Sequence, residues 1–157
     1  MNIFRNRRSI TAAIGVMPML FASYGLASEK SVKMKDLPKA VQKTVQEQTS
    51  GAKLLGLSKE TEKGKTFYEA ETTVNGHTRD VLIDSKGVVV EVEEEIAIDS
   101  VPAAVKTEIQ SHSGQVLKVE TVTKGGTLEF YEARIRKNGK NSEIQVSPEG
   151  KLITKKK

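Results

Sequence analysis

The sequence predicts an α+β fold of two tandem α-β4 repeats, each an antiparallel meander sheet with one helix packed on one face. Three observations carry this. The tetrapeptide Phe67-Tyr68-Glu69-Ala70 recurs as Phe130-Tyr131-Glu132-Ala133, 63 positions later. At that same step Asn75-Gly76 recurs as Asn138-Gly139, and Gly87 as Gly150. Upstream, Pro38, Ala40 and Val41 recur as Pro102, Ala104 and Val105 at a step of 64. Landmarks in nearly constant register mark an internal repeat, and a repeat fixes the architecture before any local reading.

Residues 1–27 belong to neither copy. Arg5, Arg7 and Arg8 form a basic start, and Ile10 to Ala22 is almost entirely apolar or small. Gly25 and Ala27 then occupy the minus-three and minus-one positions of a cleavage site, which is the pattern of a secretory signal peptide. A retained anchor needs roughly 20 consecutive apolar residues, and Pro18, Ser23, Tyr24 and Gly25 interrupt the run. The expected division is therefore a leader over 1–27, a first repeat over 28–95 and a second over 96–157, ending in a basic tail. No membrane span is expected after the leader is removed.

The chain has a formal net charge of +5. The leader's three arginines and the terminal Lys155, Lys156 and Lys157 account for that excess, so the folded part carries no basic face of the kind nucleic-acid binding wants. There is no cysteine. Disulfides, a thiol nucleophile and a lipid-bearing cysteine are thereby excluded, and a packed core must hold the exported chain together. About 130 mature residues suffice for that.

Each copy opens with a helix. Asp36 and Ser100 are good N-cap types, with Pro38 and Pro102 in the first turn, where a missing N–H costs nothing. Leu37, Val41 and Val45 follow at helical spacing in the first copy, and Val101, Val105 and Ile109 in the second. Gly51 and Gly114 suit a left-handed end, giving helices of about three to four turns with narrow apolar stripes. Strands are expected at about 53–61, 66–74, 77–84 and 88–95, then at 116–123, 128–137, 140–147 and 150–154. The turns between them are Lys63-Gly64, Gly125-Gly126, the two Asn-Gly pairs, and two four-residue turns ending in Gly87 and Gly150. Asn-Gly between alternating segments is a strong hairpin signal, because both residues tolerate positive φ.

Strand alternation separates two faces. Tyr68, Ala70, Thr72 and Val74 point one way, matched by Tyr131, Ala133 and Ile135. With Val81, Ile83, Ile144 and Val146 they form the row expected under the helices. The opposite row, Phe67, Glu69 and Glu71 with Phe130, Glu132, Arg134 and Arg136, is expected to face solvent. An aromatic flanked by charges on such a row points to a binding surface. The competing account is that Phe67 and Phe130 cover a seam between the two sheets.

These features together resemble the PepSY-like family, which is grouped with the β-lactamase-inhibitory protein. They are two helices beginning (D/S)-(L/V)-P-x-A-V, each followed by four strands with an F-Y-E-A segment, an N-G hairpin and a G-terminated turn. The resemblance covers about residues 34–154. It implies that the strands form one curved antiparallel sheet, with helices on one face and the open face available to a protein partner. It carries no β-lactamase contact residue onto this chain.

Chemistry-bearing groups are sparse. The histidines are His77, just after a hairpin turn, and His112, at the end of the second helix. No nucleophile elbow, phosphate loop or H-E-x-x-H helix occurs, so no catalytic residue, resident metal or cofactor is expected. The run Glu91, Glu93, Glu94 and Glu95 with Asp99 is the one candidate for a hard cation. Calcium wants six to eight converging oxygens, whereas carboxylates alternating on a strand stand about 6.6–7 Å apart. A solvated sheet edge that discourages aggregation is the competing account of the run.

The leading expectation is an exported non-enzymatic binding protein, an inhibitor or modulator of an envelope peptidase or hydrolase. Its partner-binding residues would be Phe67, Glu69, Phe130, Glu132, Arg134 and Arg136 on the open face. The alternative is a small-ligand or cation binder of the envelope using the run 91–99. The export reading predicts cleavage after Ala27, so the exported protein should show an intact mass beginning at Ser28. A membrane-bound product retaining residues 1–27 would refute it.

Overall fold

The local backbone is organised by two prolines. A residue before proline is driven out of the helical region by the ring. Leu37 (ψ 153°) and Val101 (ψ 156°) are accordingly extended and tuck their side chains into the core. Each follows a single 3-10 turn, Met34–Asp36 or Ile98–Ser100, and each is followed by a helix, α1 (Lys39–Gln48) or α2 (Ala103–Ser111). This corrects the expected starts. Asp36 and Ser100 close the 3-10 turns, and the prolines themselves hold the N-cap positions without a side-chain cap. Both helices are consequently shorter than three turns.

The computed structural model describes residues 30–153; the expected leader and most of the basic tail lie outside them. The strands are β1 (Lys30–Ser31), β2 (Lys53–Glu62), β3 (Lys65–Val74), β4 (His77–Asp84), β5 (Val89–Glu95), β6 (Gln115–Lys124), β7 (Thr127–Lys137) and β8 (Lys140–Val146). They form one eight-stranded antiparallel sheet in the order β1 to β8. Seven expected strands are present. The eighth, 150–154, is reduced to an isolated bridge between Leu152 and Val146. The additional strand β1 pairs Lys30 with Lys59 and Ser31 with Ser58.

The tight turns behave as their residues dictate. Asn75 (φ 52°) and Gly76 (φ 87°), and likewise Asn138 (φ 52°) and Gly139 (φ 73°), take the paired positive φ of a type I′ hairpin. The repeated landmarks Ala40 and Gly87, far apart in sequence, meet in space. A Cβ on Gly87 would lie 2.8 Å from the carbonyl oxygen of Ala40, and one on Gly150 would lie 2.6 Å from the Cβ of Ala104. The Thr44 hydroxyl also donates to the Gly87 carbonyl at 2.6 Å. Thus the P-x-A-V segment and the glycine of the third turn form one contact, built once in each copy.

The core lies between the helices and one face of the sheet, in two clusters. Val41 and Val45 of α1 pack with Leu37, Leu57, Tyr68, Ala70, Val81 and Ile83. Val105 and Ile109 of α2 pack with Val101, Val119, Tyr131, Ala133 and Val146. The Tyr-Ala row is therefore the buried one, as alternation indicates. Val74, at a strand end, is the exception and is exposed. Each fully buried aliphatic chain contributes roughly 1.5–3 kcal/mol.

Register shifts bend the sheet at Leu54/Gly56 in β2 and Val116/Lys118 in β6, matched positions of the two copies. Others interrupt the β4–β5 and β6–β7 ladders. An extra residue on one strand increases local twist and curls the sheet.

Tyr68→Ala and Tyr131→Ala should each lower stability by about 3–5 kcal/mol in chemical denaturation. Gly87→Ala should cost more than Gly64→Ala. Both glycines have positive φ, but a Cβ at Gly64 meets nothing within 4 Å. Equal losses at the two glycines would refute the Ala40 contact.

Candidate partner-binding face

The face turned away from the helices carries the row singled out in sequence, and its surroundings differ from expectation. Glu69 is only 7% exposed, Glu91 7% and Glu120 5%. Glu132 and Arg134 are half-buried, and of the expected row only Arg136 is freely exposed. The expectation of a solvated charged row is thus corrected: these residues stand on interior strands, where side chains of both neighbouring strands flank them. The Ser58 hydroxyl donates to Glu69 at 3.3 Å. A lysine at position 69 would therefore bring an ammonium into a buried, hydrogen-bonded site, so that charge swap is not neutral for stability.

The register brings a carboxylate onto this face from each strand between β3 and β8. These are Glu69, Asp80, Glu91, Glu120, Glu132 and Glu143. Glu93 lies opposite Asp80 on one side and Val122 on the other. Among the described residues, Glu120, Glu91 and Glu143 each have a close cation. Lys118 Nζ lies 2.6 Å from Glu120 Oε1, Lys124 Nζ 2.9 Å from Glu91 Oε2, and Arg134 Nη2 3.0 Å from Glu143 Oε1. Gln145 donates to Glu132 Oε2 at 3.0 Å, and Arg136 Nε donates to Asn141 Oδ1 at 3.0 Å.

Phe67 and Phe130 are both half-buried on this face. Phe67 stands opposite Glu60 and Asp84. Phe130 stands opposite Val122, with Lys124 Nζ 5.8 Å from its ring centre, at cation–π range. The two copies join where β5 pairs with β6, and the phenylalanines sit on β3 and β7. Phe67 lies two strands from that junction, so the seam account fails for it, whereas Phe130 lies beside the junction, opposite Val122 of β6.

Crowding of like charges raises proton affinities. Burial, then repulsion from Glu120, a hydrogen bond with Glu91 and repulsion from Glu132 push the Glu93 carboxyl up to about 9. Burial pushes Asp80 up to about 6, with Lys118 opposing and Glu120 and Glu71 reinforcing the shift. Burial also raises Glu132, against the Gln145 hydrogen bond. Sequence reasoning missed Asp80, Glu120 and Glu143, which lie outside the repeated motif. The signal available was their placement on the same alternation row as Glu69.

The run 91–99 does not act as a unit. β5 is an interior strand between β4 and β6, so the account of a solvated edge is corrected. Glu91 and Glu93 face the helix-free side. Glu94 faces the helix side and accepts from Arg79 Nε at 2.8 Å. Glu95 accepts from the Thr78 amide at 3.0 Å, and Asp99 is 2.6 Å from Lys106 Nζ. Among the described residues no group of three or more histidine or acidic side chains is placed to hold a metal ion. His112 caps the end of α2 with Nε2 3.2 Å from Glu108 Oε1, and His77 Nδ1 lies 3.7 Å from Glu95 Oε1. No helix among the described residues is long and apolar enough to cross a membrane.

Fold and face together define an α+β module with one curved antiparallel sheet, helices on one side and a charged, aromatic-bearing face on the other. The chain belongs to the PepSY-like family. The family model described as "Putative beta-lactamase-inhibitor-like, PepSY-like" matches residues 26–91 and again 66–154. Solved structures share the fold. One from Bacteroides eggerthii, titled as a "putative periplasmic" protein, is 21% identical with a TM-score of 0.62, covering 75% of this chain and 86% of that one. A DUF2874 family protein from Bacteroides ovatus is 19% identical with a TM-score of 0.58, covering 75% and 85%. A BLIP-like protein from Bacteroides fragilis is 20% identical with a TM-score of 0.55, covering 76% and 85%. No curated protein sequence matches the chain.

The raised Glu93 and Asp80 carboxyls set a pH dependence. Between the unfolded and folded values of each group, the folded protein binds the proton that the unfolded chain has released. Stability is therefore fully present below about pH 4 and falls as pH rises toward 9. The melting temperature should drop by at least about 3 °C from pH 5 to pH 9. Glu93→Gln, neutral at every pH, should remove most of that fall. A flat wild-type profile over this window would refute the half-buried placement of Glu93 among like charges.

Proposed function

We propose that the chain is an exported, non-enzymatic binding protein that holds a protein of the cell envelope against its helix-free sheet face. It acts there as an inhibitor or modulator of a peptidase or hydrolase. The observation that carries this is the pair of half-buried phenylalanines, one per copy, set among charged groups on a face that neither helix covers. An aromatic anchor with a polar surround has the composition of an interface core and rim. The family's description as β-lactamase-inhibitor-like supports an inhibitory role. The periplasmic description of the Bacteroides eggerthii structure, together with the leader pattern, supports a periplasmic or secreted location.

In this reading residues 28–95 and 96–157 each supply one anchor, Phe67 and Phe130. Glu132, Arg134 and Arg136 form the adjoining rim, and Glu69 supports the face from within. Truncating such an anchor typically costs about 2 kcal/mol or more, roughly thirtyfold in affinity. The double variant Phe67→Ala, Phe130→Ala should keep a cooperative melt yet lose the envelope protein that the wild type captures stoichiometrically from its own envelope extract. Undiminished capture by the folded variant would refute this placement of the surface. A variant that does not fold is replaced by Phe130→Leu with Arg136→Ala, for which the same loss is expected.

A further inference from the structure

We propose that the helix-bearing side of the first copy rests its lysines on the surface of an anionic phospholipid bilayer. This rests on the exported location proposed above, and it leaves the helix-free face to the protein partner.

The first ground is a charge difference between two copies of one backbone. Around the start of α1 stand Lys30, Lys33, Lys35, Lys39, Lys59 and Lys86, all of them exposed. The matched residues of the second copy are Glu94, Ala97, Asp99, Ala103, Thr121 and Glu149, three acids and no base. The near-neutral balance of the folded part conceals this segregation. Because both copies fold alike, packing does not demand lysine at these places. Lys30 even stands directly opposite Lys59, an arrangement that costs stability.

The second ground is placement. Lys59 pairs with Tyr68, so it lies on the helix side of the sheet, with Lys30 beside it. Lys33 and Lys35 belong to the 3-10 turn that leads into α1, and Lys39 opens that helix. The turn bearing Lys86 is held against α1 by the close approach of Gly87 to Ala40 and by the Thr44 hydrogen bond. Few acids stand nearby. Asp36 is exposed, Glu47 lies 3.7 Å from Lys43 Nζ, and Asp84 Oδ1 accepts the Lys86 and Val88 amides. Among the described residues none of the six lysines has a close ion pair. The third ground is the kind of charge. Lysines with no arginine among them offer hydrated point charges rather than bidentate forks, which suits a diffuse anionic surface. Val88, two residues beyond Lys86, is 55% exposed. An apolar side chain beside lysines fits the boundary between headgroups and acyl chains, whereas a soluble acidic polymer would leave it in water.

The test is flotation of the mature protein with vesicles of phosphatidylethanolamine and phosphatidylglycerol. Binding is expected at about 0.1 M salt and release at about 0.5 M, where screening is stronger. Vesicles of phosphatidylcholine alone should bind nothing. The Lys35→Gln, Lys39→Gln, Lys86→Gln variant should partition about a hundredfold more weakly without a lower melting temperature. Lys137→Gln, Lys140→Gln and Lys151→Gln, an equal neutralisation in the second copy, should leave partitioning within about threefold. Equal weakening by the two variants would show attraction to net charge alone and overturn the proposal. No binding to the anionic vesicles at about 0.1 M salt would overturn it outright. Loss on neutralising Lys155, Lys156 and Lys157, with none on neutralising the first-copy trio, would overturn it in favour of the basic tail. Capture by soluble polyglutamate and not by vesicles would overturn it in favour of an acidic protein. The Phe67→Ala, Phe130→Ala variant should float as the wild type does, and its loss of the vesicles while folded would overturn the division between the two sides. If vesicles do not bind while that variant still loses its captured partner, the lipid proposal falls and the partner surface stands.

Discussion

The structure depends on one geometric constraint: two helices shorter than three turns cannot cover both faces of an eight-stranded sheet. Each helix spends its single apolar stripe on the Tyr-Ala row, Val41 and Val45 in one copy, Val105 and Ile109 in the other. The opposite face then has no cover from the described chain. There each side chain of an interior strand stands between those of its two neighbours, and long glutamates, lysines and arginines shield one another. That is how a face of charged residues comes to contain carboxylates as buried as Glu120 without a core of its own. The same crowding raises proton affinity at Glu93 and Asp80. Surface chemistry and architecture thus share one cause.

The internal repeat has a physical content beyond resemblance. Ala40 and Gly87, and again Ala104 and Gly150, are kept small because the helix start and the third turn approach within van der Waals contact. The prolines two residues earlier set the direction from which the helix arrives. The tyrosine and alanine of the F-Y-E-A segment lie in the cluster beneath that helix, and its phenylalanine and glutamate lie on the far side of the same strand. One short motif therefore addresses both faces, so its retention in the two copies cannot be assigned to packing or to binding alone.

Much of this was legible in the chain because the decisive signals are local. Asn-Gly dictates its hairpin whatever surrounds it, and alternation along 66–74 tells the two faces apart without knowledge of the neighbours. The failures are equally physical. Asp36 and Ser100 looked like helix caps, yet the steric effect of proline on the preceding residue outranks a side-chain preference and delays each helix. Glu69 reads the same on a flat sheet as on a curled one, so alternation could name its face and not its burial. The run from Glu91 to Glu95 was mistaken for a possible edge because pairing of β5 with β6 is settled across the two copies, at a range that no window of sequence reports. Glu120 joins it for the same reason, whereas Asp80 and Glu143 are set opposite Glu71 and Arg134 by the local Asn-Gly hairpins.

The joint between the copies also bears on assembly. The strand closing the first copy pairs with the strand opening the second, and such a head-to-tail contact has no symmetry axis to terminate it; repeated, it would generate an unlimited array. Both ends of this sheet are blunted. At one, β1 and the Val32 amide occupy the middle of β2, where a preceding copy would dock. At the other, the counterpart of β5 is cut down to the bridge at Leu152, with Ile153 holding the Gln145 carbonyl. A further copy arriving by the same contact would meet a two-residue strand or an isolated bridge in place of a long open edge, and short edges are poor templates for pairing.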